Sequence, residues 1–470
     1  MLPMTLAEIA TAVTGKLILG HSAAVADTVI EGISETDSRE ITAGGIFFAK
    51  PGEVTDGHLF VPAATRNGAA LVIVDHELEV SVPQIIVADT VAALGALATE
   101  VVRRVRGLGR LRVVGITGSN GKTTTKNLLA AILGRVGQTV AARESFNNEV
   151  GAPLTMLRVS PDTDFLVAEM GASRIGEIAR LIRMVRPDIG VVLKVGLAHA
   201  GEFGGIEAIV TAKSEMVTEL QPADIAVLNQ DDPRVAGMAA VTAARVIWFG
   251  TRASADVRAT EIVVSATGTA FTLTLPDGQS RPVRFRVLGE HHVMNALAAA
   301  ACATALGAGA DDIVRGLESV QTAERWRMQV MGGSGEVTII NDAYNASPDS
   351  MAAALKTLAQ IAGPDNRTVA VLGEMSELGE ISGEEHDRIA LLAVRLNIGR
   401  LVVVGPAARR MHISTINEGS WNGESVYVDT PDAAYELLSG TLQPGDLVLV
   451  KSSNSANLRF LGDRLGELFS

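Results

Sequence analysis

The sequence has few of the residues that would mark a secreted, membrane-spanning or nucleic-acid-binding protein. Cys302 is the only cysteine among 470 residues, so an internal disulfide cannot form. No apolar run reaches the about 18 uninterrupted residues of a membrane helix, and no basic segment with an apolar core opens the chain. The net charge is −13, and no run of Lys and Arg could follow a phosphate backbone. We therefore expect a soluble, cytoplasmic protein without membrane insertion or a nucleic-acid partner.

Aromatic residues are also scarce, at 4% of the chain, whereas hydrophobic residues as a whole make up 47% and glycine alone contributes 47 residues. Small residues let helices approach sheets closely, so this composition favours an α/β protein over an aromatic-rich β-sandwich. A chain of 470 residues is too long for one ordinary domain and suits three.

The pattern along the chain predicts three α/β domains, at residues 1–88, 89–320 and 321–470. In the first, short strands and helices alternate, and a connecting helix is predicted at Thr90–Arg106. Continuous apolar strands of the central domain are predicted at Leu111–Ile116, Phe165–Glu169, Ile189–Val195, Ile225–Leu228 and Val246–Phe249. Such strands, separated by amphipathic helices, indicate a parallel sheet covered on both faces.

The pattern changes at residues 260–287, where apolar and polar residues alternate around a turn at Pro276-Asp277-Gly278. This alternation predicts a β-hairpin added to the central domain, and a helix at Val293–Leu306 ends before Gly307. The third domain again alternates strands and helices. Its strands are predicted at Val337–Ile340, Val369–Leu372, Leu401–Val404 and Leu447–Val450, and its helices at Pro348–Ile361, Glu384–Leu396 and Ala456–Leu468. We interpret it as an open, Rossmann-like α/β sheet.

The strongest local signal is the run GITGSNGKTT at residues 115–124, which follows an apolar strand and opens a helix. Glycines let such a loop turn its N–H groups toward phosphate oxygens, Lys122 can reach the outer phosphates, and the Thr123 hydroxyl can bind Mg²⁺. Ile116 departs from the common pattern, which has glycine at this position. The alternative is a tight strand–helix turn that binds no ligand. A phosphate loop alone fits a GTPase, a kinase, a motor or a ligase.

Three further residues could complete a metal site. Glu169 ends an apolar strand, where its carboxylate would lie near the phosphate loop and could bind a hard cation. His199 also follows an apolar strand, and Lys213 lies in a predicted helix. By spacing alone, a loop histidine is more often structural and a helical lysine is more often solvated, whereas Glu169 is better explained as a metal ligand.

Four motifs, in this order, resemble the ATPase domain of the Mur ligases and of the related folylpolyglutamate synthase. They are TGSNGKTTTK, AEMGA, GLAHAGEFGG and TAKSEM. The resemblance implies an ATP-dependent ligase in which Glu169 and His199 bind Mg²⁺ beside Thr123. It also implies that CO₂ carbamylates Lys213, which turns this cation into an anionic oxygen ligand. The family usually has Asn at the position of Lys194, so no role is assigned to that residue.

Further motifs imply the remaining ATP contacts. The run GEHHVMNALAAA resembles a family motif whose last Asn, here Asn295, contacts adenine, although His292 replaces the motif's first Asn. Asp342 matches the aspartate that holds the ribose. An arginine shortly before it meets the γ-phosphate in the family, and of the two candidates, Arg325 and Arg327, we prefer Arg325. The predicted ATP-binding residues are thus Thr117, Gly118, Ser119, Asn120, Gly121, Lys122, Thr123, Thr124, Asn295, Arg325 and Asp342, and the predicted catalytic residues are Lys122, Glu169, His199, Lys213 and Arg325.

The N-terminal run SETDSREITAGGIFFAKPGEVTDGH resembles the UDP-binding domain of Mur ligases, which folylpolyglutamate synthases lack. The resemblance implies that Asp37, Ser38 and Arg39 belong to the uridine-nucleotide site. It places Asn147 and Asn148 toward the muramoyl end of the same substrate. Each of these five residues could instead be an ordinary loop or helix-cap residue.

Two motifs of the third domain indicate which substrates the ligase joins. DAYNASPDSM and VLGEMSELGE resemble the family branch that joins D-alanyl-D-alanine to UDP-N-acetylmuramoyl-tripeptide. The Asn-Pro-Arg motif of the branch that adds diaminopimelate or lysine is absent. Lys451-Ser452-Ser453-Asn454 departs from the family's usual Lys-Gly-Ser-Arg, which puts a contact of that Arg in doubt. The expected enzyme is a monomer that uses ATP and Mg²⁺ to form an acyl phosphate. The alternatives are a sister ligase that adds a different residue and a nucleotide-gated regulatory protein.

Overall fold

The computed structural model describes residues 1–20, 22–52, 55–143, 145–198, 200–320, 325–333, 337–363, 366–418 and 421–470, and the strands in these ranges form four sheets. The three larger sheets lie within residues 16–86, 112–285 and 329–451. The domain boundaries given above remain predictions. Within the described ranges, no helix combines the length and the apolar character that a membrane crossing requires.

The N-terminal sheet has the strand order β2-β7-β6-β5-β4, and a short β1–β3 pair lies beside it. Its region contains β1 Met4–Thr5, α1 Leu6–Ala12, β2 Lys16–Ile18, β3 Val29–Ile30, β4 Ser34–Glu35, β5 Gly45–Phe48, α2 Val61–Arg66, β6 Ala69–Val74 and β7 Gln84–Ile86. Strands β4 to β7 are parallel, whereas β2 pairs antiparallel with β7. Phe47 and Phe48 are successive residues of β5, and both are fully buried. This strand is therefore covered on both faces, as is usual in parallel sheets.

A single long helix, α3, connects the N-terminal and central regions and has the predicted bounds, Thr90–Arg106. Asp89 caps it, because its carboxylate accepts two backbone N–H groups of the first turn. Leu94, Leu97 and Val101 are buried in a core that also contains side chains of α1 and of the central region. The helix thus holds the two regions against each other through a shared apolar core.

The central sheet has the order β16-β15-β14-β13-β12-β11-β8-β10-β9. Its strands are β8 Arg112–Thr117, β9 Thr139–Ala141, β10 Phe165–Glu169, β11 Ile189–Val192, β12 Ile225–Asn229, β13 Arg245–Gly250, β14 Val257–Ser265, β15 Gly268–Thr274 and β16 Ser280–Phe285. Its helices are α4 Lys122–Leu133, α5 Gly151–Met156, α6 Glu177–Val185, α7 Ala200–Phe203, α8 Ile206–Thr218, α9 Pro233–Gly237, α10 Glu290–Ala305 and α11 Ala310–Ser319. Strands β8 to β14 are parallel, as the continuous apolar runs predict.

The predicted hairpin is part of this same sheet and contains one strand more than expected. Strands β15 and β16 form the hairpin, and β14 pairs antiparallel with β15 as a third strand. Phe271 and Leu273 on β15 are buried in the core beneath α10. The alternating pattern arises because α10 covers one face of these strands and solvent meets the other.

One predicted strand is shorter than its apolar run. The run reaches Val195, but β11 ends at Val192. Beyond this point the backbone bonds to the phosphate loop instead, since Leu193 N donates to Thr117 O and Ser119 N donates to Lys194 O. Leu193 and Val195 are nevertheless buried in the cores that cover the sheet, which is why the apolar run continues beyond the strand.

The C-terminal sheet has the order β17-β18-β22-β19-β20-β21 and is parallel except for β17. Its elements are β17 Gln329–Gly332, β18 Thr338–Asn341, α12 Pro348–Ile361, β19 Arg367–Leu372, α13 Ser382–Arg395, β20 Arg400–Val404, α14 Arg409–Ile416, β21 Glu424–Val428, α15 Pro431–Thr441, β22 Asp446–Lys451 and α16 Leu458–Leu468. The two edge strands, β17 and β21, were not predicted. Both are partly exposed, so neither shows the continuous apolar run of an inner strand.

Candidate active site

The loop between β8 and α4 has the geometry of a phosphate-binding loop. Gly118 and Gly121 adopt φ values of 151° and 87°, which side chains with a Cβ atom disfavour. A Cβ atom on Gly121 would lie only 2.3 Å from Oδ1 of Asn295. The loop therefore requires glycine there, both for its turn and for the close approach of Asn295. The first backbone N–H groups of α4 have no partner within the helix itself and can face an anion, as at other helix N-termini.

Lys122, the first residue of α4, folds back over this loop. Its Nζ donates to Gly118 O at 2.8 Å. Burial lowers the pKa of Lys122, while the Glu169 carboxylate opposes this shift and the Arg327 guanidinium adds to it. The ammonium group of Lys122 is thus partly desolvated and feels the charges of both Glu169 and Arg327. A phosphate group beside it would be bound strongly.

Glu169 ends β10 beside the first turn of α4, and its side chain is only 1% exposed. Its Oε1 accepts from Thr123 Oγ1 at 3.2 Å and from Asn147 Nδ2 at 2.8 Å. Its Oε2 is buried and has no hydrogen-bond partner among the described residues. A buried carboxylate oxygen left without a partner, next to a hydroxyl, fits the oxygen ligands that Mg²⁺ prefers. His199, another of the predicted ligands, lies outside the described residues.

Lys213 lies on α8 and is buried, with 3% of its surface exposed. It is therefore not the solvated lysine that helical spacing alone suggests. Burial lowers its pKa to about 7, the charge of Lys122 acts in the same direction, and Glu215 and Glu177 oppose the shift. The ammonium lies 5.7 Å from the centre of the Phe203 ring. Near neutral pH, a large fraction of this amine is thus unprotonated.

The two candidate arginines point in different directions. Arg325 is exposed, and its Nη2 donates to Asp463 Oδ2 at 2.9 Å. Arg327 instead reaches the phosphate loop, where its Nη2 lies 3.2 Å from Ser145 Oγ and 3.4 Å from Thr123 Oγ1. The geometry thus favours Arg327 over the preferred Arg325 as the residue that faces the phosphates.

A cavity of about 240 Å³ lies on the other side of the loop. Asn295, Thr124 and Asp342 line it together with His291 and His292. Asn295 Nδ2 lies 3.2 Å from His292 Nδ1. Burial lowers the pKa of His291 to about 4 and that of His292 well below its ordinary value, so both rings are neutral at pH 7.

Asp342 borders this cavity but already has two partners. Its Oδ1 accepts from Met328 N at 3.0 Å, and its Oδ2 pairs with Lys451 Nζ at 2.6 Å. Lys451 is the first residue of the Lys451-Ser452-Ser453-Asn454 motif, and it also donates to Asn345 O. Through Lys451, the motif thus holds the loop that follows β18. Asn454 accepts from Arg459 through its backbone and side-chain oxygens.

Besides Arg327, further contacts join the C-terminal region to the phosphate loop and to the segment that follows β11. Ser347 Oγ donates to Asn120 Oδ1 at 3.2 Å, and the Asp349 carboxylate pairs with Lys194 Nζ at 2.8 Å. Gly201 N donates to Glu377 O at 2.9 Å. Residues of both regions therefore line one cavity of about 260 Å³ around Lys122 and Glu169.

Sequence reasoning missed several residues of this cavity. They are Ser145, Tyr344, Asn345, Ser347, Ser376 and Glu377. Ser145 lies in an irregular loop where no periodicity marks it. The others lie in the DAYNASPDSM and VLGEMSELGE motifs, so those motifs were the available signal, although they do not indicate which side chains face the cavity.

The five residues predicted for the UDP-linked substrate lie in three different settings. Asp37 pairs with Arg39 at 2.6 Å, while Ser38 is buried and its carbonyl accepts from Asn67. Asn148 lies shortly before α5, and its Oδ1 accepts from Gly151 N, the first residue of that helix. Asn147 is instead part of the Glu169 cluster described above. The structure thus places Asn147 beside the phosphate loop, and the substrate role of Asn148 stays a prediction.

Comparison with known proteins agrees with this geometry. The Mur ligase middle domain matches residues 116–303, the Mur ligase glutamate ligase domain matches residues 326–454, and the Mur ligase family catalytic domain matches residues 30–111. The chain is 43% identical to the UDP-N-acetylmuramoyl-tripeptide--D-alanyl-D-alanine ligase of Mycobacterium bovis, over 99% of this chain and 98% of that protein. The chain belongs to the Mur ligase family. Mur ligases use ATP, which agrees with the phosphate loop.

Solved structures resemble this Mur ligase over nearly its full length. Crystal structure I of MurF from Acinetobacter baumannii has a TM-score of 0.88 and 34% identity, and the match covers 99% of both chains. The MurF ligase of Thermotoga maritima in complex with ADP has a TM-score of 0.78 and 28% identity, over 93% of this chain and 97% of that chain. The predicted three-part α/β architecture of this Mur ligase is thereby confirmed.

Proposed function

We propose that this Mur ligase joins D-alanyl-D-alanine to UDP-N-acetylmuramoyl-tripeptide at the expense of ATP, in the synthesis of peptidoglycan precursors. The observation that carries the proposal is the cavity in which Lys122 and Glu169 of the central region meet Arg327 of the C-terminal region. A ligase that activates a carboxylate needs such a place, because ATP and the two further substrates must meet there. The relatives that are similar over the full length are named for the same reaction.

The reaction proceeds in two steps. A carboxylate oxygen of the tripeptide attacks the γ-phosphorus of ATP, the bond to the ADP oxygen breaks, and an acyl phosphate forms. The amine of D-alanyl-D-alanine then attacks the acyl carbon, an amide forms, and phosphate leaves as the nitrogen loses a proton. The protein contributes position and charge, since the loop amides, Lys122 and Arg327 would hold the transferring phosphoryl group in line.

The metal site of the proposal consists of Thr123, Glu169, His199 and the carbamate of Lys213. The Oε2 of Glu169, which has no hydrogen-bond partner in the described ranges, and the neighbouring Thr123 hydroxyl fit a hard cation. When bound, Mg²⁺ neutralises charge on the phosphate oxygens. His199, which lies outside the described residues, is included on the family resemblance alone.

Lys213 acts in this proposal as a carbamate. Its neutral amine attacks CO₂ and loses a proton, which leaves an anion with two oxygen atoms. The burial of Lys213 and the nearby charge of Lys122 support this step, because both lower the pKa of the amine. An anionic carbamate would also remove the repulsion between two cations at the phosphate end of the site.

The remaining substrate contacts would come from the cavity behind the phosphate loop and from the N-terminal loop. Asn295 would contact adenine from the cavity behind the phosphate loop, and Asp342 would reach the ribose from its edge. Asp37, Ser38 and Arg39 would bind the uridine nucleotide. Burial raises the pKa of Glu35 in the N-terminal region, whereas the charges of Arg143 and Arg158 in the central region oppose this shift. Charged groups of both regions therefore act on one carboxyl group.

The proposal is tested by measuring phosphate release with each combination of substrates. Release that requires ATP, UDP-N-acetylmuramoyl-tripeptide and D-alanyl-D-alanine together is the expected result. Release with the dipeptide precursor and a free diamino acid would instead identify the sister ligase, and release independent of all acceptors would identify a regulatory ATPase. Parallel tripeptides ending in diaminopimelate and in lysine would define the third residue.

A further inference from the structure

Arg327 lies in a backbone segment with an uncommon conformation. Its two neighbours, Trp326 and Met328, adopt φ values of 63° and 48°, in the left-handed region. Residues with large side chains rarely adopt this backbone conformation, and they keep it only where the surroundings enforce it. The conformation of this segment therefore fixes the direction of the Arg327 side chain.

Three hydrogen bonds hold this segment in place. Trp326 N donates to Gln329 Oε1 at 3.0 Å, and Trp326 Nε1 donates to Asp463 at 2.9 Å. On the other side, Met328 N donates to Asp342 Oδ1 at 3.0 Å. Anchors on both sides of Arg327 thus oppose the relaxation of the strained backbone.

The guanidinium itself is held by an aromatic face. The Arg327 Cζ atom lies 4.2 Å from the centre of the Tyr344 ring, while Nη2 points to Ser145 and Thr123 at the phosphate loop. Tyr344 is fixed relative to the same segment, because its N donates to Trp326 O at 3.1 Å. A ring face attracts the cation and fixes its plane, but it leaves the positive charge available for an anion.

We propose that Tyr344 is the positioning residue of Arg327: its ring holds the guanidinium toward the γ-phosphoryl group of ATP. This inference rests on the proposed function, since it assigns Arg327 to the phosphoryl group that is transferred. Tyr344 contributes the face of its ring, and its hydroxyl is not required. The ring therefore acts on phosphoryl transfer and not on the binding of ADP.

The test compares Tyr344→Leu, which removes the ring, with Tyr344→Phe, which retains it. Tyr344→Leu is expected to lower kcat by roughly 10- to 100-fold, because a displaced catalytic charge has effects of this order, while the KM values of the tripeptide and the dipeptide stay within about twofold. Tyr344→Phe is expected to stay within about threefold of the wild type, because Phe also offers a ring face to a cation. Tyr435→Leu is the matched control, since Tyr435 stacks on Arg464 at 3.9 Å on another surface.

A binding measurement makes the inference testable independently of ligase turnover. Calorimetry with Mg²⁺ and ADP alone should give the same affinity for the wild type and Tyr344→Leu. Affinity for ADP with aluminium fluoride, which mimics the transferring phosphoryl group, should fall about tenfold or more in Tyr344→Leu and recover in Tyr344→Phe. Unchanged analogue affinity in folded Tyr344→Leu, or an equal loss in Tyr344→Phe, would overturn the inference. If the wild type shows the binding difference but no substrate-dependent phosphate release, the proposed function fails while the role of Tyr344 stands.

Discussion

The phosphate-loop end of the molecule and its Asp37–Arg39 end hold their candidate binding residues in opposite ways. Around the loop, Thr123 and Glu169 are buried, and their surroundings include Arg327, which lies about two hundred residues away in sequence. At the other end, Asp37 pairs with Arg39 only two residues along the chain, and the Arg39 side chain is 85% exposed. The first arrangement is formed by the folding of the whole chain, and the second is formed locally.

This difference indicates which properties each end controls. The phosphate-loop residues are held by contacts within the fold, so substitutions there should affect chemistry directly. The Asp37–Arg39 pair is solvated, and exposed ion pairs contribute little to stability. Substitutions at that end should therefore change the affinity for the UDP-linked substrate and leave both the fold and the ATP site intact.

The largest effect is expected for Lys122→Ala. Its ammonium would meet the outer phosphates, so its loss should lower ligation by about 10³-fold or more, a range typical of charges that stabilise phosphoryl transfer. In the described part of the chain its Nζ donates to Gly118 O, and the burial of its charge opposes folding, so the thermal unfolding midpoint should not fall. Lys16→Ala, at an exposed lysine, is the control. Normal turnover of the folded Lys122→Ala variant would show that the phosphate loop does not take part in the reaction.

Lys213→Ala should come next, with a loss of most activity. A short carboxylic acid in the medium is expected to restore part of it, because a free carboxylate can occupy the place of the carbamate oxygens. Thr211→Ala, an exposed position on the same helix, should retain full activity. Native mass measurement of gently handled protein should find one CO₂ on Lys213. An unmodified Lys213 in active protein would contradict the carbamate.

The same lysine predicts a dependence of stability on pH in CO₂-depleted buffer. Its pKa falls from an ordinary value of 10.5 to about 7 on folding. Below pH 7 both the folded and the unfolded state carry the charge, and folding must bury it; above about pH 10.5 neither does. Lys213→Met should therefore raise the unfolding midpoint most below pH 7, with a gain that shrinks between pH 7 and 10.5. A gain that does not vary with pH would mean that the pKa of Lys213 is the same in the folded and the unfolded state, which would contradict its burial as a cation.

The smallest effect, and the sharpest contrast, is expected for Arg39→Ala. The KM of the UDP-linked substrate should rise about tenfold, the order expected for loss of one charged hydrogen bond, while kcat, ATP affinity and the unfolding midpoint stay unchanged. Arg103→Ala is a matched control, because Arg103 is also exposed and pairs with an acid three residues away. A parallel loss of ATP affinity in Arg39→Ala would show that the two ends are not separate.

Features that depend on local sequence could be predicted. Helix α3 and strand β10 have the predicted bounds because each is a regular apolar pattern, and in α3 a capping residue marks the start. The phosphate loop was recognisable because glycine, Lys122 and Thr123 must follow a strand at fixed spacing. The edge strands β17 and β21 lack such a pattern, since partial exposure replaces apolar residues by polar ones.

Features that depend on tertiary contacts could not be predicted. Arg325 and Arg327 differ by two positions in a segment with two left-handed residues, so no regular period indicates which side chain turns inward. The burial of Lys213 likewise depends on what α8 packs against. Contacts such as Ser347 with Asn120, and Asp349 with Lys194, join regions that the sequence alone treats separately.

The central claim, that ATP activates the tripeptide carboxylate as an acyl phosphate, is tested most directly by isotope transfer. The terminal carboxylate of the tripeptide is labelled with ¹⁸O in both oxygens, and the reaction runs with unlabelled ATP and D-alanyl-D-alanine. Because one carboxylate oxygen becomes the bridging atom of the acyl phosphate, each released phosphate should carry one ¹⁸O, and the new amide should keep the other. Phosphate released without the label, while product forms at the normal rate, would contradict the account.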